Sequence, residues 1–204
     1  MWPNSEETQQ LLVRASDGDA AAVNDLMERH RQSLRKMVAM RLDRQIAGRV
    51  DASDVVQDVL VEANRRLATF INDANMPFHL WLRQLAKDRI IDMHRRHHAQ
   101  RRTVDKEQPI KAAGNMDRSS MDLEGQLRDR QLTPAAANIR KELESRFFEA
   151  LEDLNEQDRE IILMRHAEHL GNSEVAAALE LSPAAAGMRY LRAMRRLREV
   201  LKEP

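Results

Sequence analysis

The chain has 204 residues, of which 32% are charged and 3% are aromatic, and its 33 basic residues balance its 33 acidic ones. It contains no cysteine, which excludes disulfides, thiolate metal sites and cysteine nucleophiles. No apolar run approaches the roughly 20 residues that span a membrane, and no signal peptide is visible, so we expect a cytoplasmic protein without membrane insertion. Because no segment keeps the two-residue period of strands, the sequence predicts an all-α fold.

The first half of the sequence predicts helices that share one small core. The stretch DASDVVQDVLVEANRRLATF, residues 51–70, has Asp51 or Ser53 as its N-cap and predicts a strong helix. Pro77 interrupts the helical pattern, because the residue before a proline avoids helical angles. The helix FHLWLRQLAKDRIIDMHRRHHAQRR, residues 78–102, follows.

The middle of the chain predicts a flexible linker between two small helical domains. Residues 103–134 mix Pro, Gly, Ser and Asn with balanced charge and weak periodicity. The pattern predicts one helical turn within them, near residues 123–132. The two domains are therefore expected at residues 1–102 and 135–204.

The last fifty residues predict a helix-turn-helix. Gly171 is suited to a left-handed helix end, and Ser173 is placed to cap a short helix. Ser182 and Pro183 have the residue types that begin a helix, and the final helix should run to about Lys202. A short helix, a tight turn and a longer basic helix form the arrangement that places a helix on DNA.

One side of the final helix is basic. Arg189, Arg192 and Arg196 fall opposite its apolar side. This arrangement suits DNA, because phosphates attract positive charge and the major groove admits a helix. An arginine stripe alone is not specific for DNA binding, because the solvated face of a plain helical bundle can also carry one. That solvated face is the alternative.

The helix at residues 78–102 also has an apolar seam and a basic face. The residues expected on that basic face are Arg83, Lys87, His94, His98 and Arg101. Arg89 projects toward the apolar side, which predicts an acidic partner for it. His94 and His98 have the spacing of helical zinc ligands, but the surrounding arginines and the lack of a nearby carboxylate favour phosphate contacts over a metal site.

The helix at residues 51–70 carries an acidic face. Asp51, Asp54, Asp58 and Glu62 share one side of it, and the valines take the other. Paired carboxylates can hold two metal ions in a bundle, but such sites add histidines and point inward. The pattern therefore favours either a solvated face or a docking surface for a basic protein.

The sequence has an acidic helix, a basic helix, a linker and a basic helix-turn-helix, in that order. With these features it resembles a bacterial sigma-70-type factor of the extracytoplasmic-function class. DASDVVQDVLVEANRRLATF resembles the core-polymerase-binding helix of the class, and FHLWLRQLAKDRIIDMHRRHHAQRR resembles its promoter-melting and minus-ten-reading segment. DREIILMRHAEHLGNSEVAAALELSPAAAGMRYLRAMRRLREVL resembles its minus-thirty-five-reading domain. HRRHHAQRR and LMRHAEHLGNSEVAAALELS are similar to forms found in planctomycete-type members.

The resemblance implies a role for each matching residue. The residues expected to meet the largest subunits of core RNA polymerase are Asp54, Gln57, Asp58 and Glu62. Those expected at the minus-ten element are Trp81, Arg83, Lys87, Asp88, Arg95, Arg96, Arg101 and Arg102. Those expected at the minus-thirty-five element are Ser182, Ala184, Ala185, Met188, Arg189, Arg192 and Arg196.

Three departures from the class pattern bear on these roles. Asp88 stands where the class often has Asn, which reverses the hydrogen-bonding options and adds repulsion toward phosphate. Glu180 stands where many helix-turn-helix units have a glycine. The last helix begins with AAAG, residues 184–187, which offers almost no side chains to read base edges. We therefore expect the upstream element to be recognised through phosphates and DNA shape.

The sequence thus predicts a sigma factor rather than an enzyme, with no cofactor and no metal. Its expected partners are core RNA polymerase, promoter DNA and an anti-sigma factor or other regulator. One alternative is a stand-alone helix-turn-helix regulator, which would need no acidic docking helix. Another is a carboxylate or histidine metalloenzyme built on a helical bundle.

Overall fold

The computed structural model describes residues 2–42, 50–104 and 133–202, and the side chains of 97–104 and of several residues near the start of the helix at Pro134 are outside the description. Every regular element in these ranges is helical, which confirms the all-α prediction. The chain divides into an N-terminal unit and a C-terminal unit at a point inside residues 105–132, which are not described. The predicted domain and linker limits and the predicted turn near 123–132 therefore stay predictions.

Side-chain caps set the starts of the first three helices in the N-terminal unit. Its helices are α1 (Ser5–Ser16), α2 (Ala20–Ala39), α3 (Ala52–Asn72) and α4 (Phe78–Val104). Asn4 caps α1, and Asp19 caps α2 by accepting from the amides of Ala21 and Ala22. Of the two caps predicted for α3, Asp51 takes the role, because its carboxylate accepts from the amide of Ser53 at 2.8 Å. Each cap satisfies amides that would otherwise lack a partner.

The N-terminal unit has one core, to which all four helices contribute. The side chains that α3 buries recur every three or four residues: they are Val55, Val56, Val59, Leu60, Ala63, Leu67 and Phe70. α2 packs against both α3 and α4, and α3 packs against α4. The stacked rings of Phe70 and Trp81, with centroids 4.6 Å apart, join α3 to the start of α4. This packing fixes which sides of α3 and α4 face outward.

The C-terminal unit consists of helices joined by short turns. They are α5 (Pro134–Glu152), α6 (Glu156–Ile162), a π-helical turn (Leu163–Ala167), α7 (Asn172–Ala178) and α8 (Pro183–Val200). Asn155 caps α6 and Ser182 caps α8, as their residue types predict. α8 packs against α6 and α7, and its buried side chains include Ala186, Ala193 and Leu197. α7, α8 and the short turn between them form the predicted helix-turn-helix.

The start of the helix-turn-helix differs from the prediction in two positions. His169, not Gly171, has the left-handed backbone, with a φ of 58°. Gly171 instead caps α7, and its amide donates to the Glu174 carboxylate at 2.7 Å, so Ser173 lies inside the helix. The physical reason is the π-helical turn, which widens the end of the preceding helix. The helix therefore ends two residues earlier than predicted, and the left-handed conformation falls on His169 instead of Gly171.

The turn between α7 and α8 has the geometry that usually calls for glycine. Glu180 has a φ of 54°, which is left-handed for a residue with a side chain. The amide of Leu181 donates to the carbonyl of Ala176 at 2.8 Å and closes the turn. No helix in the described ranges is long and apolar enough to cross a membrane.

Candidate polymerase and nucleic-acid interfaces

The solvent side of α3 carries most of the predicted acidic face. From here the name acidic face covers the four residues that the resemblance implies at core polymerase, Asp54, Gln57, Asp58 and Glu62. Asp54, Gln57 and Asp58 are exposed, and Glu62 is half-buried. The core packing of the valines on the other side of α3 forces this orientation. The face therefore points outward, as its sequence spacing predicts.

Arginines from neighbouring positions already contact three members of the acidic face. Asp58 forms an ion pair with Arg89 of α4, which confirms the acidic partner predicted for Arg89. Arg31 of α2 donates to the amide oxygen of Gln57 at 3.2 Å, and Arg66 lies 2.5 Å from the Glu62 carboxylate. Because these contacts are solvent-exposed, each contributes little to stability. They hold the acidic side chains in defined positions on α3.

The basic side of α4 differs from the prediction at its first turns. Arg83 was predicted to lie on the basic face of this helix, but only 2% of its surface is exposed, so that placement is wrong. Lys87 and His94 are half-buried. The cause is the packing of α4 against two helices, α2 and α3, which buries a wider arc than a single apolar seam.

The exposed part of α4 contains both signs of charge. Asp88 and Asp92 are exposed, and so are Arg95 and Arg96 one turn further on. Arg101 and Arg102 lie on the same helix, but their side chains are outside the described residues, as are those of His97 and His98. The available positive charge on α4 is therefore concentrated toward its C-terminal end.

Trp81 belongs to an aromatic cluster at the start of α4. Its ring stacks on Phe70 and lies 5.5 Å, between centroids, from Phe78. The side chain is half-buried. The geometry agrees with a residue that supports the fold where α4 emerges.

The same cluster continues into a buried histidine that sequence reasoning did not single out. His30 of α2 has 1% of its surface exposed, and its Nε2 lies 3.2 Å from the hydroxyl oxygen of Thr8. Burial, followed by the charges of His79 and Arg29, lowers the pKa of His30 to about 4. The available signal was its spacing of four residues from both Leu26 and Leu34, which places it on the apolar side of α2.

The outward side of α8 is exposed along its whole length. Ser182, Ala184, Ala185 and Met188, which were predicted to approach DNA, are exposed. Arg192 is exposed as well, whereas Arg189 is half-buried. Every predicted upstream contact before Arg196 is thus on or beside the accessible side of the helix.

Arg196 is exposed as well, and it has a partner within the C-terminal unit. Its guanidinium pairs with Asp158 of α6, whose side chain is 6% exposed. Asp158 also accepts from the side-chain amide of Asn155 at 2.7 Å. The predicted contact of Arg196 with DNA stays a prediction, and the ion pair shows that this side chain also compensates a buried carboxylate.

A groove of about 590 Å³ lies between the start of α6 and the arginines of α8. Its lining includes Arg189, Arg192, Arg196 and Asp158. The groove is therefore basic on its α8 side and partly acidic on its α6 side. Among the described side chains, no three His, Asp or Glu residues come together so as to hold a metal ion.

Comparison with known proteins identifies the family of the chain. Residues 26–100 match the family model of sigma-70 region 2, and residues 145–197 match that of sigma-70 region 4. Together the two matches span more than half of the chain, in the order that the sequence predicted. The chain belongs to the sigma-70 family. It is of the extracytoplasmic-function type and is a sigma factor that directs transcription from specific promoters.

Similarity to individual proteins extends over most of the chain. The RNA polymerase sigma-H factor of Pseudomonas aeruginosa is 23% identical over 197 residues, which covers 97% of this chain and 95% of that protein. The solved structure of CnrH in complex with the cytosolic domain of CnrY matches with a TM-score of 0.58 at 24% identity, over 94% of each chain. The sigma factor RpoE, solved with the anti-sigma factor NepR from Bartonella quintana, matches with a TM-score of 0.52 at 21% identity, over 83% of this chain and 90% of that one. At these identities the two structures support the fold.

Proposed function

We propose that this sigma factor binds the largest subunits of core RNA polymerase through the acidic face of α3. The observation that carries the proposal is the outward orientation of Asp54, Gln57, Asp58 and Glu62, within the stretch that matches sigma-70 region 2. Arginines contact three of these side chains, Gln57, Asp58 and Glu62, which reduces the side-chain freedom that binding would remove. A basic helical surface on the polymerase would complement this face.

The second part of the proposal concerns the minus-ten element. Arg95 and Arg96 are the best-supported phosphate contacts, because both are exposed on α4, and Arg101 and Arg102 follow them in sequence. Lys87 is half-buried, and a lysine in such a position can place its ammonium group at the surface while its stem is covered. Trp81 and Arg83 act by supporting the fold, and Asp88 disfavours a phosphate beside it.

The third part concerns the minus-thirty-five element. Ser182, Ala184, Ala185 and Met188 present the start of α8 to the major groove, and Arg189 and Arg192 contact the flanking phosphates. Recognition then depends on phosphates and DNA shape, because the side chains at this helix start have no hydrogen-bonding groups beyond Ser182. Arg196 contributes by fixing α8 to Asp158.

Several finer properties belong to the same proposal. The matched structures of CnrH and RpoE were solved with the cytosolic domain of CnrY and the anti-sigma factor NepR, which supports an anti-sigma factor or similar regulator as a partner here. The protein works in the cytoplasm as a DNA-recognition subunit, not an enzyme, and needs no cofactor. Its domains are residues 1–102 and 135–204, joined by the linker 103–134. Assignment to the planctomycete-like type rests only on the two sequence stretches that resemble it.

A stand-alone helix-turn-helix regulator is not favoured. Such a protein would need neither the acidic face nor a region 2 match over residues 26–100. The two functions differ in what they bind first. A sigma factor binds core polymerase before it binds DNA strongly, whereas a regulator binds its operator alone.

Capture of core RNA polymerase tests the proposal. The tagged wild-type chain should retain the polymerase, and Asp54→Arg should lose most of that capture, because it puts a cation on an acidic face that meets basic helices. Asp17→Arg is the matched control, since Asp17 is an exposed acid in the turn between α1 and α2. Equal capture by wild type and Asp54→Arg would move the interface off this face. No capture by the wild type would favour the regulator.

A further inference from the structure

The outermost row of α8 is apolar although arginines flank it. Ala184, Met188 and Leu191 are spaced by four and three residues and so follow one line along the helix, which we call the apolar row. Met188 is 55% exposed and Leu191 is 50% exposed. The core of the unit does not use them, because α8 packs through its opposite side.

The charges beside the apolar row indicate what covers it. Arg192, Arg195 and Arg198 are exposed around Met188 and Leu191. An apolar protein surface would leave these guanidinium groups without counter-charges. The major groove of DNA offers both features together, because phosphates line its edges and the C5-methyl group of thymine is the apolar group on its floor.

We propose that Met188 and Leu191 read thymine methyl groups in the upstream promoter element. This makes Leu191 a specificity-determining residue beyond those expected from sequence. The inference rests on the proposed function, in which α8 enters the major groove upstream of the start site. It adds two direct, apolar contacts to a recognition otherwise based on phosphates and DNA shape.

The dimensions of the helix suit two such contacts. Three residues of helix rise about 4.5 Å, and neighbouring base pairs are separated by roughly 3.4 Å. Met188 and Leu191 can therefore reach methyl groups on adjacent base pairs. Ala184, at the start of the row, is small enough to let the helix approach the groove floor closely.

The expected size of the effect follows from burial of a methyl group. Covering one CH₂-sized group contributes about 0.8 kcal/mol, which is about a fourfold change in affinity. Two contacted thymines would therefore change binding about fifteenfold, a difference that filter binding or fluorescence anisotropy resolves.

Uracil substitution isolates the methyl group, because uracil keeps every hydrogen-bonding group of thymine. We would first select upstream elements from a randomised promoter library with holoenzyme assembled from core polymerase and the full chain. The selected element would then be measured with thymine and with uracil at each position. Wild-type holoenzyme should bind the uracil form about fourfold more weakly at each contacted position.

Side-chain variants then assign the effect to the apolar row. Met188→Ala/Leu191→Ala should bring the thymine-to-uracil ratio close to one while keeping the salt dependence that the arginines set. Both positions are exposed and alanine favours helix, so folding should be preserved. Leu201→Ala is the matched control, because Leu201 is 38% exposed at the end of α8 and off the row, and it should keep the wild-type ratio.

Three results would overturn the inference. A wild-type ratio near one would do so while leaving the proposed function intact. An equal ratio in wild type and the double variant would assign the methyl effect to DNA shape instead of to these side chains. A holoenzyme that enriches no upstream element would overturn the proposed function, and this inference with it.

Discussion

Mild acid should destabilise the N-terminal unit through protonation of His30. The imidazole is enclosed by the rings of Trp2 and Phe78, with centroids 6.1 and 5.1 Å away. Its Nδ1 is buried without a hydrogen-bond partner. Among the described residues, no group accepts a hydrogen bond from a second proton placed on this nitrogen.

The size of the effect follows from the two pKa values of His30. Burial, with His79 and Arg29 nearby, lowers the folded-state pKa from 6.5 to about 4. The unfolded chain therefore binds a proton that the folded unit does not, and the free energy of unfolding falls as the pH drops from 6.5 toward 4. Between pH 7.5 and pH 5 the loss from this residue should be about 2 kcal/mol.

Urea unfolding followed by tryptophan fluorescence measures this unit alone, because Trp2 and Trp81 are the only two tryptophans in the chain. His30→Gln is the comparison, since its amide can donate to Thr8 and does not titrate in this range. The variant should be less stable than the wild type at pH 7.5. Between pH 7.5 and pH 5, however, its free energy of unfolding should fall by about 2 kcal/mol less than that of the wild type. Equal losses in the two proteins would refute the reasoning.

Three further substitutions test the packing of each unit. Glu180→Gly should raise the stability of the C-terminal unit by about 1 kcal/mol by relieving its left-handed backbone, and an unchanged or lower melting temperature by circular dichroism would contradict this. Arg196→Ala should cost about 2 kcal/mol in the same assay, because it leaves the Asp158 carboxylate buried without its cation; a cost under about 0.5 kcal/mol, the range of an ordinary surface change, would not agree. Phe70→Ala should cost about 3–5 kcal/mol in urea unfolding and shift the fluorescence of Trp81, its stacking partner.

Helix starts were predictable because the groups that set them are close in sequence. Asp51, Asn155 and Ser182 each accept a backbone amide two or three residues ahead, so residue type and spacing were sufficient. The beginning of α7 was not predictable in this way. The π-helical turn before it gave the left-handed backbone to His169, and a rule based on the nearest glycine cannot anticipate that change in helix width.

The candidate surfaces were predictable where a helix packs through one side. α3 buries a single stripe, so its 3.6-residue period placed Asp54 and Asp58 outward. α4 packs against two helices, and periodicity alone did not show that Arg83 would be enclosed. The ion pair of Arg196 was not predictable, because its partner Asp158 lies 38 residues away and only the fold brings the two side chains together.

Reconstituted transcription tests directly whether this chain directs RNA polymerase to specific promoters. Core RNA polymerase from the source bacterium would be incubated with fragments of its chromosome, with and without this chain, and the RNA 5′ ends would be mapped. We expect discrete start sites that appear only with the chain and share sequence at both the minus-ten and minus-thirty-five positions. Start sites identical to those of core polymerase alone would contradict this expectation.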